Sequence, residues 1–475
     1  MTLFFPRQKC PLYSVLFLLF SLASLFLSAC GGSSGGSTAS PSQAPPAYCS
    51  TTISYSSAVT ITGSAGYQYR ANGNGAVTGP NPIRHAEITV RDGSGQIIQC
   101  GETDQLGQFS LSLPQSDSSL QISVRSRADN NFVKAYVMSS TQSNQPHQIS
   151  GNFVPDQSKH IGTLTASATG TLEGGAFNIL DKILDTNEFL RAQTAGCDAF
   201  HSSCTPFTVA PLAYIYWAPG VDIGNVTFGI SGVSFYIRDS NQMYLLGGSN
   251  GDVNNSDTDH FDNTIIIHEY GHFLENFYSI SDSPGGQHSG NTILDPRLAW
   301  SEAFANYLQA VVTGAFVYRD TSGTIDGSPS VFFNEDLEHG SNDNTNTLGE
   351  ANFREFSITR ALVDITDSNN ECFDGTNNPN PGNCPGATIV DDLTATFNEF
   401  WTVFTSSVVG FRRSNVFYRD IGLFYSLQDI LTGKTDWRIF KLLKVRSLHV
   451  RAIATLWHWV VLVAPSISKP PIFLG

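Results

Sequence analysis

At 475 residues the chain is long enough for about two or three domains with sizeable cores. A net charge of −15, with only 14% charged residues, excludes a nucleic-acid surface spread over the folded region. At the N-terminus, Arg7 and Lys9 precede an apolar run from Leu12 to Ala29 that ends at Cys30. Basic residues before such a run and small residues at its end predict an export signal over residues 1–29, although length alone also fits a transmembrane anchor.

The end of that run, Leu27-Ser28-Ala29-Cys30-Gly31, resembles the lipobox of bacterial lipoproteins. The resemblance implies cleavage before Cys30 and acylation of that cysteine, which holds a protein firmly on a membrane. Gly31 in the second mature position, where Asp is absent, is similar to outer-membrane sorting in Gram-negative bacteria. Residues 30–47, rich in Gly, Ser and Pro, have nothing to bury and predict a tether that stiffens toward Pro45-Pro46. With Cys10 in the signal and Cys30 acylated, six of the eight cysteines remain, in close pairs: Cys49 and Cys100, Cys197 and Cys204, Cys372 and Cys384. In an oxidising compartment these suggest three disulfides, with the pairing left open. A cysteine metal cluster is disfavoured because no C-x-x-C occurs.

From residue 48 to 166 the apolar pattern has period two. Ala86, Ile88 and Val90 alternate with Glu87, Thr89 and Arg91, and the runs Phe109-Leu111-Leu113 and Leu120-Ile122-Val124 repeat this. Turn pairs such as Asp92-Gly93 separate the runs, so an antiparallel β-sandwich is expected. The stretch PIRHAEITV…ETDQLGQFSLSLP, with Thr103-Asp104 and Gly107-Gln108-Phe109, resembles the carboxypeptidase regulatory-like, transthyretin-type sandwich. No chemistry is legible there, and His85 and His147 read as surface or core residues.

Residues 170–433 form a second domain on this reading. Ala176 to Leu190 has helical periodicity, with its acids on a solvated face and a calcium role as the alternative. Leu212–Trp217, Val233–Ile237 and Met243–Leu246 read as strands. The acidic stretch GSNGDVNNSDTDHFD reads as a loop entering a helix, with a calcium role as the weaker alternative. Thr264 to Tyr278 predicts that helix, with Asp259 or Asp262 as its cap. It carries His268, Glu269 and His272 as H-E-x-x-H, which puts both imidazoles on one face and a carboxylate beside them. A buried pair of structural histidines is the alternative. A second helix downstream has Asp295 as N-cap, Pro296 in its first position and Gly314 as its stop, with Glu302 inside it. Two His and one Glu form an established catalytic zinc set with one open position.

His268-Glu269-Tyr270-Gly271-His272 followed by Trp300-Ser301-Glu302-Ala303-Phe304-Ala305-Asn306-Tyr307 resembles the gluzincin metallopeptidases, the group of thermolysin and the aminopeptidase N-like enzymes. The resemblance implies an α+β zincin domain holding one Zn2+ on His268, His272 and Glu302, with Glu269 as general base. It also implies that Asn306 orients His268, in a position where thermolysin-like enzymes carry Asp. In that group the strand before the zinc helix, here Met243 to Gly248, is an edge strand that pairs with substrate backbone. The segment between His272 and Glu302 is longer here than in either reference group.

Beyond Gly314, helices are expected near Asn352–Ile365 and from after Asp391-Asp392 to Ser406, the latter with Phe397, Trp401 and Phe404 on its apolar side. These helices would cover the far side of the active cleft. His288, Tyr307, His339 and Arg360 are the candidates for a transition-state donor, with no choice among them. Residues 434–475 hold seven of the chain's 26 Lys and Arg but one of its 41 acids. They read equally as a basic membrane-surface helix or as an out-of-register C-terminus. The composite expectation is a lipid-anchored cell-envelope zinc metallopeptidase acting on peptide or protein substrates, with no nucleic-acid partner. An adhesion protein with a structural zinc helix pair, and a zinc hydrolase of non-peptide bonds, stand as alternatives. Cys30→Ser is expected to leave an unprocessed or soluble precursor, because acyl chains supply most of the anchoring. Fractionation that finds the processed variant still in the membrane would transfer the anchoring to the C-terminal tail.

Overall fold

A computed structural model describes residues 46–50, 52–288, 292–325, 328–337, 353–366 and 395–407. Cys30, Cys372, Cys384, His339, Asp391-Asp392 and the 434–475 tail lie outside the described residues.

The first part is built of β1 (Ala58–Arg70), β2 (Val77–Pro82), β3 (Glu87–Arg91), β4 (Ile97–Glu102), β5 (Gln108–Pro114), β6 (Leu120–Arg125), β7 (Arg127–Asp129), β8 (Lys134–Met138), β9 (Gln148–Phe153) and β10 (Lys159–Ala166). One four-stranded sheet runs β10-β1-β2, with β5 also on β1, and another runs β4-β3-β6-β9. In β5 the expected alternation holds: Phe109, Leu111 and Leu113 are buried and Gln108, Ser110 and Ser112 exposed. Two expectations need correction. β1 and β10 are parallel, because the chain crosses from β9 in one sheet to β10 in the other and enters beside β1 in the same direction. Glu87 and Thr89 are buried along with Ile88 and Val90, since β3 is covered on both faces. The buried Glu87 is neutralised by Arg127, 2.5 Å away, and accepts a hydrogen bond from the Cys49 amide at 2.6 Å. Arg127 also donates to the carbonyls of Pro46 and Ala47, which docks the end of the tether. The Cys49–Cys100 disulfide fixes the same segment to β4, and Cys197–Cys204 forms a second bridge.

The second part comprises α1 (Glu173–Thr194), α2 (Cys197–Phe200), β11 (Ala213–Tyr216), α3 (Ile223–Phe228), β12 (Phe235–Tyr236), β13 (Gln242–Tyr244), α4 (Asn263–Tyr278), α5 (Pro296–Thr313), β14 (Val317–Ile325), β15 (Ser328–Asp336), α6 (Glu355–Thr366) and α7 (Phe397–Thr405). Its five-stranded sheet has the order β12-β13-β11-β8-β7. β7 and β8 therefore leave the first part: β8 pairs in parallel with β11, from Ala135 opposite Ala213 to Met138 opposite Tyr216. A boundary at residues 166–170 is thus crossed by a shared sheet. β13 is not the edge expected for it, because the two-residue β12 pairs on its outer side.

The acids of α1 do not face solvent as expected. Arg84, just before β3, reaches Asp181 at 2.6 Å, Asp185 at 2.5 Å and Glu188 at 2.8 Å, so this acidic face docks the helix on the first part. The opposite side of α1 meets α4 through Asn187, whose side-chain oxygen accepts from the Tyr270 hydroxyl at 2.9 Å. α4 packs on α5, α5 on α6, and Phe304 of α5 stacks on Phe400 and Phe404 of α7. At the α4–α5 crossing Gly271 has no side chain, and a Cβ there would stand 3.1 Å from the Ala305 Cα. Gly271→Val is expected to force the helices apart and cost about 1–3 kcal/mol, the usual scale of overpacking. A thermal melt followed by circular dichroism checks this, and an unchanged midpoint would show that the crossing tolerates a wider spacing.

Candidate metal centre

α4 opens at Asp262, with the Ile266 amide donating to the Asp262 carbonyl. The Asp262 side chain does not cap the helix, because it accepts instead from the amide and hydroxyl of Thr321 in β14. α5 starts as its sequence predicts: the Asp295 side chain accepts from the Arg297 amide, Pro296 follows, and Gly314 ends the helix in the left-handed region.

These two helices bring His268, His272 and Glu302 together, all buried. The Nε2 atoms of the two histidines are 3.2 Å apart, and Glu302 Oε2 lies 3.2 Å from one and 3.1 Å from the other. The tautomers follow from the outer partners. His268 Nδ1 donates to Asn306 Oδ1 at 2.8 Å. Ser301 Oγ donates to Glu275 Oε2 at 2.6 Å, which leaves its lone pair to accept from His272 Nδ1 at 3.3 Å. Each neutral ring then presents a bare Nε2 lone pair to the other and to a carboxylate oxygen. Such a set repels itself unless a cation or an added proton lies among the three atoms. Ligand atoms about 2.0–2.1 Å from a tetrahedral zinc stand roughly 3.3 Å from one another, close to the separations here. The residues fit zinc.

Without an ion, a proton on one imidazole takes the place of the cation. Burial presses the His272 pKa down, but the Glu302 carboxylate raises it to about 9. Burial pushes Glu302 up, and His288, His272 and His268 pull it well below the usual carboxylate range. Glu302 is thus an anion held among imidazoles. Glu269 is fully buried on the same helix, and its charge acts on His272. Glu275 is pushed up to about 7 by burial, against the Ser301 hydrogen bond that lowers it.

Of the three candidate donors among the described residues, the structure brings His288 to the site. Its Nδ1 lies 2.7 Å from Glu355 Oε2 of α6 and its Nε2 3.5 Å from Glu302 Oε1. Burial lowers its pKa, and Glu302 and Glu355 together raise it to about 9. Arg360 pairs with Glu335 and donates to the Asp336 carbonyl, and Tyr307 packs on the ring of Phe400. His85 stacks on Phe132, and His147 Nε2 bonds the Trp217 carbonyl, both remote from the centre. Sequence reasoning did not single out Ser301, Glu275 or Glu355. Glu275 follows His272 by three positions, so helical spacing could have found it. Nothing local marks Glu355.

The family model of the Mycolysin C-terminal domain matches residues 232–410, under half of the chain. The matched span contains every residue of this centre, and the match supports a zinc metallopeptidase at the coarse level. No curated protein matches the chain.

Glu302→Ala leaves two neutral ligands and is expected to lose zinc on dialysis against a mild chelator. Asn306→Ala should lower affinity by only about 10-fold, because it orients a ligand and does not supply one. Metal content after dialysis checks both, and a Glu302→Ala chain that keeps its zinc would remove Glu302 from the ligand set.

Proposed function

We propose that the chain is an exported zinc metallopeptidase of gluzincin type, anchored at the bacterial cell envelope through acylated Cys30. Residues 48–166 supply a carboxypeptidase regulatory-like sandwich, and their β7 and β8 also join the sheet of the catalytic domain of residues 170–433. The observation that carries the reading is the convergence of His268 Nε2, His272 Nε2 and Glu302 Oε2 within 3.2 Å, with both Nδ1 atoms already engaged.

His268, His272 and Glu302 hold the ion. Zinc in such a site supplies a Lewis acid that polarises a carbonyl and acidifies a water. Glu269 accepts the proton of the attacking water at its carboxylate and delivers it to the amine nitrogen that leaves. The low-dielectric surroundings strengthen that exchange, since Glu269 is fully buried. Asn306 and Ser301 hold the two imidazoles in the tautomer that presents Nε2, with Glu275 behind Ser301. His288, turned by Glu355, is the donor we assign to the developing oxyanion. The substrate is a peptide or protein.

The test is zinc content and cleavage of a peptide library by the purified chain, wild type against Glu269→Gln. The variant is expected to bind about one zinc, to fold normally and to lose several orders of magnitude in turnover, because only proton transfer is removed. Equal cleavage by the two proteins would refute the assigned base. Zinc binding without cleavage in the wild type would favour a structural role for the helix pair.

A further inference from the structure

A second group of ligand atoms lies at the foot of the zinc helix, and it is made of oxygen alone. One carboxylate oxygen from each of Asp257, Asp259 and Asp320 lies within 4.8 Å of the others. Asp257 and Asp259 belong to the loop that leads into α4, and Asp320 to β14, which follows α5. Asp259 is 3% exposed and Asp320 7%. The Oδ1 atoms of all three acids are buried and meet no hydrogen-bond donor. Among the described residues no Lys or Arg pairs with any of the three. The other Asp259 oxygen accepts from the Ser234 hydroxyl, and Asp257 and Asp320 lie close enough to share a proton through their carboxyl groups.

This differs from an ordinary acidic surface cluster. Asp259 and Asp320 are nine-tenths buried or more, and each has an unpartnered oxygen in a group that converges. A buried carboxylate oxygen without a donor costs free energy unless the charge is removed or a cation is bound. Burial and mutual repulsion raise the pKa values of Asp257 and Asp259 well above the carboxylate range, and burial raises Asp320 to about 6. Asp262, also buried, adds its charge from the first position before α4, but its own oxygens are occupied by Thr321. The backbone is built to hold the two segments together. The Gly323 amide donates to the Ser256 carbonyl at 2.9 Å, and a Cβ on Gly323 would fall 1.9 Å from the Val253 carbonyl oxygen.

We propose that Asp257, Asp259 and Asp320 bind a calcium ion that ties β14 to the loop carrying the N-terminus of the zinc helix. Calcium takes oxygen ligands at about 2.3–2.6 Å, so oxygens on opposite sides of one ion stand up to roughly 4.8 Å apart, as this group allows. An all-oxygen, all-carboxylate set suits a hard cation and does not compete for zinc. The role is structural: the ion neutralises three buried acids and fixes the approach to α4.

The experiment uses the zinc-loaded mature chain in calcium-depleted buffer, compared with the Asp257→Asn/Asp320→Asn variant and with Asp259→Asn. Wild type is expected to bind about one calcium per chain by equilibrium dialysis with half-saturation at or below about 1 mM, the range of extracellular sites, and to melt higher when calcium is added. The variants should bind at least about 100-fold more weakly. Without calcium they should melt above wild type, since the repulsion is gone, and with calcium below it. Zinc content, measured in the same samples, should not change. A wild type that binds no calcium at about 1 mM, or variants that bind it equally well, overturns the proposal. So does a melting order that calcium leaves unchanged, which would mean that the acids merely share protons.

Discussion

Three electron-rich atoms held within 3.2 Å of one another inside the protein are the constraint on which the rest depends. Two imidazole lone pairs and a carboxylate, removed from water, destabilise the fold unless something positive sits among them. The fold does not relax this cluster; it enforces it. Gly271 against Ala305 lets α4 and α5 approach closely, and α1, α6 and α7 pack around the pair. Asn306 and Ser301 remove the easiest escape, a tautomer shift that would turn a proton inward, by accepting at the Nδ1 atoms.

What the sequence made legible follows from range. The spacing of His268, Glu269 and His272 is local, and so are the cap at Asp295, the stop at Gly314 and the alternation of Phe109, Leu111 and Leu113. Each rests on periodicity or on capping chemistry within a few residues. Asn306 was also within reach, because helical spacing from Glu302 places it on the same face. Pairings across long separations were not. Nothing around Lys134–Met138 says that this strand joins β11, and nothing around Glu355 says that it turns His288. β13 was misread for the same reason: a strand's neighbours decide whether it is an edge, and two residues of β12 suffice to cover it.

The acidic residues make the point in energetic terms. α1 and the loop before α4 carry similar local runs of acids; the first reads as a solvated face and the second as a loop entering a helix, with calcium as its weaker alternative. In the structure both runs include buried acids. Asp181 is buried with Arg84 and the Tyr67 hydroxyl, so its charge is offset by partners from the first part. Asp257 and Asp259 are brought against a third acid, Asp320. Composition cannot separate the two cases, because the difference lies in whether the distant partner is Arg84 or Asp320. Electrostatic free energy, unlike hydrophobic patterning, is set by identities far apart in the chain.

The two acid-containing centres also differ in donor chemistry, and this keeps them separate. The His268, His272 and Glu302 set is nitrogen-rich and suits zinc, whereas the Asp257, Asp259 and Asp320 set offers oxygen only. Both are attached to α4: one lies on its middle turns, and the other reaches its first residue through the Asp262–Thr321 hydrogen bonds. β14 links the ends, since its Tyr318 ring lies 5.7 Å from His268 while Asp320, two residues on, belongs to the oxygen set. A cation bound at Asp320 therefore acts on a strand that also borders the zinc ligands. Neutralising the foot of the helix and holding its middle turns in register are thus mechanically one task, carried by one helix and one strand.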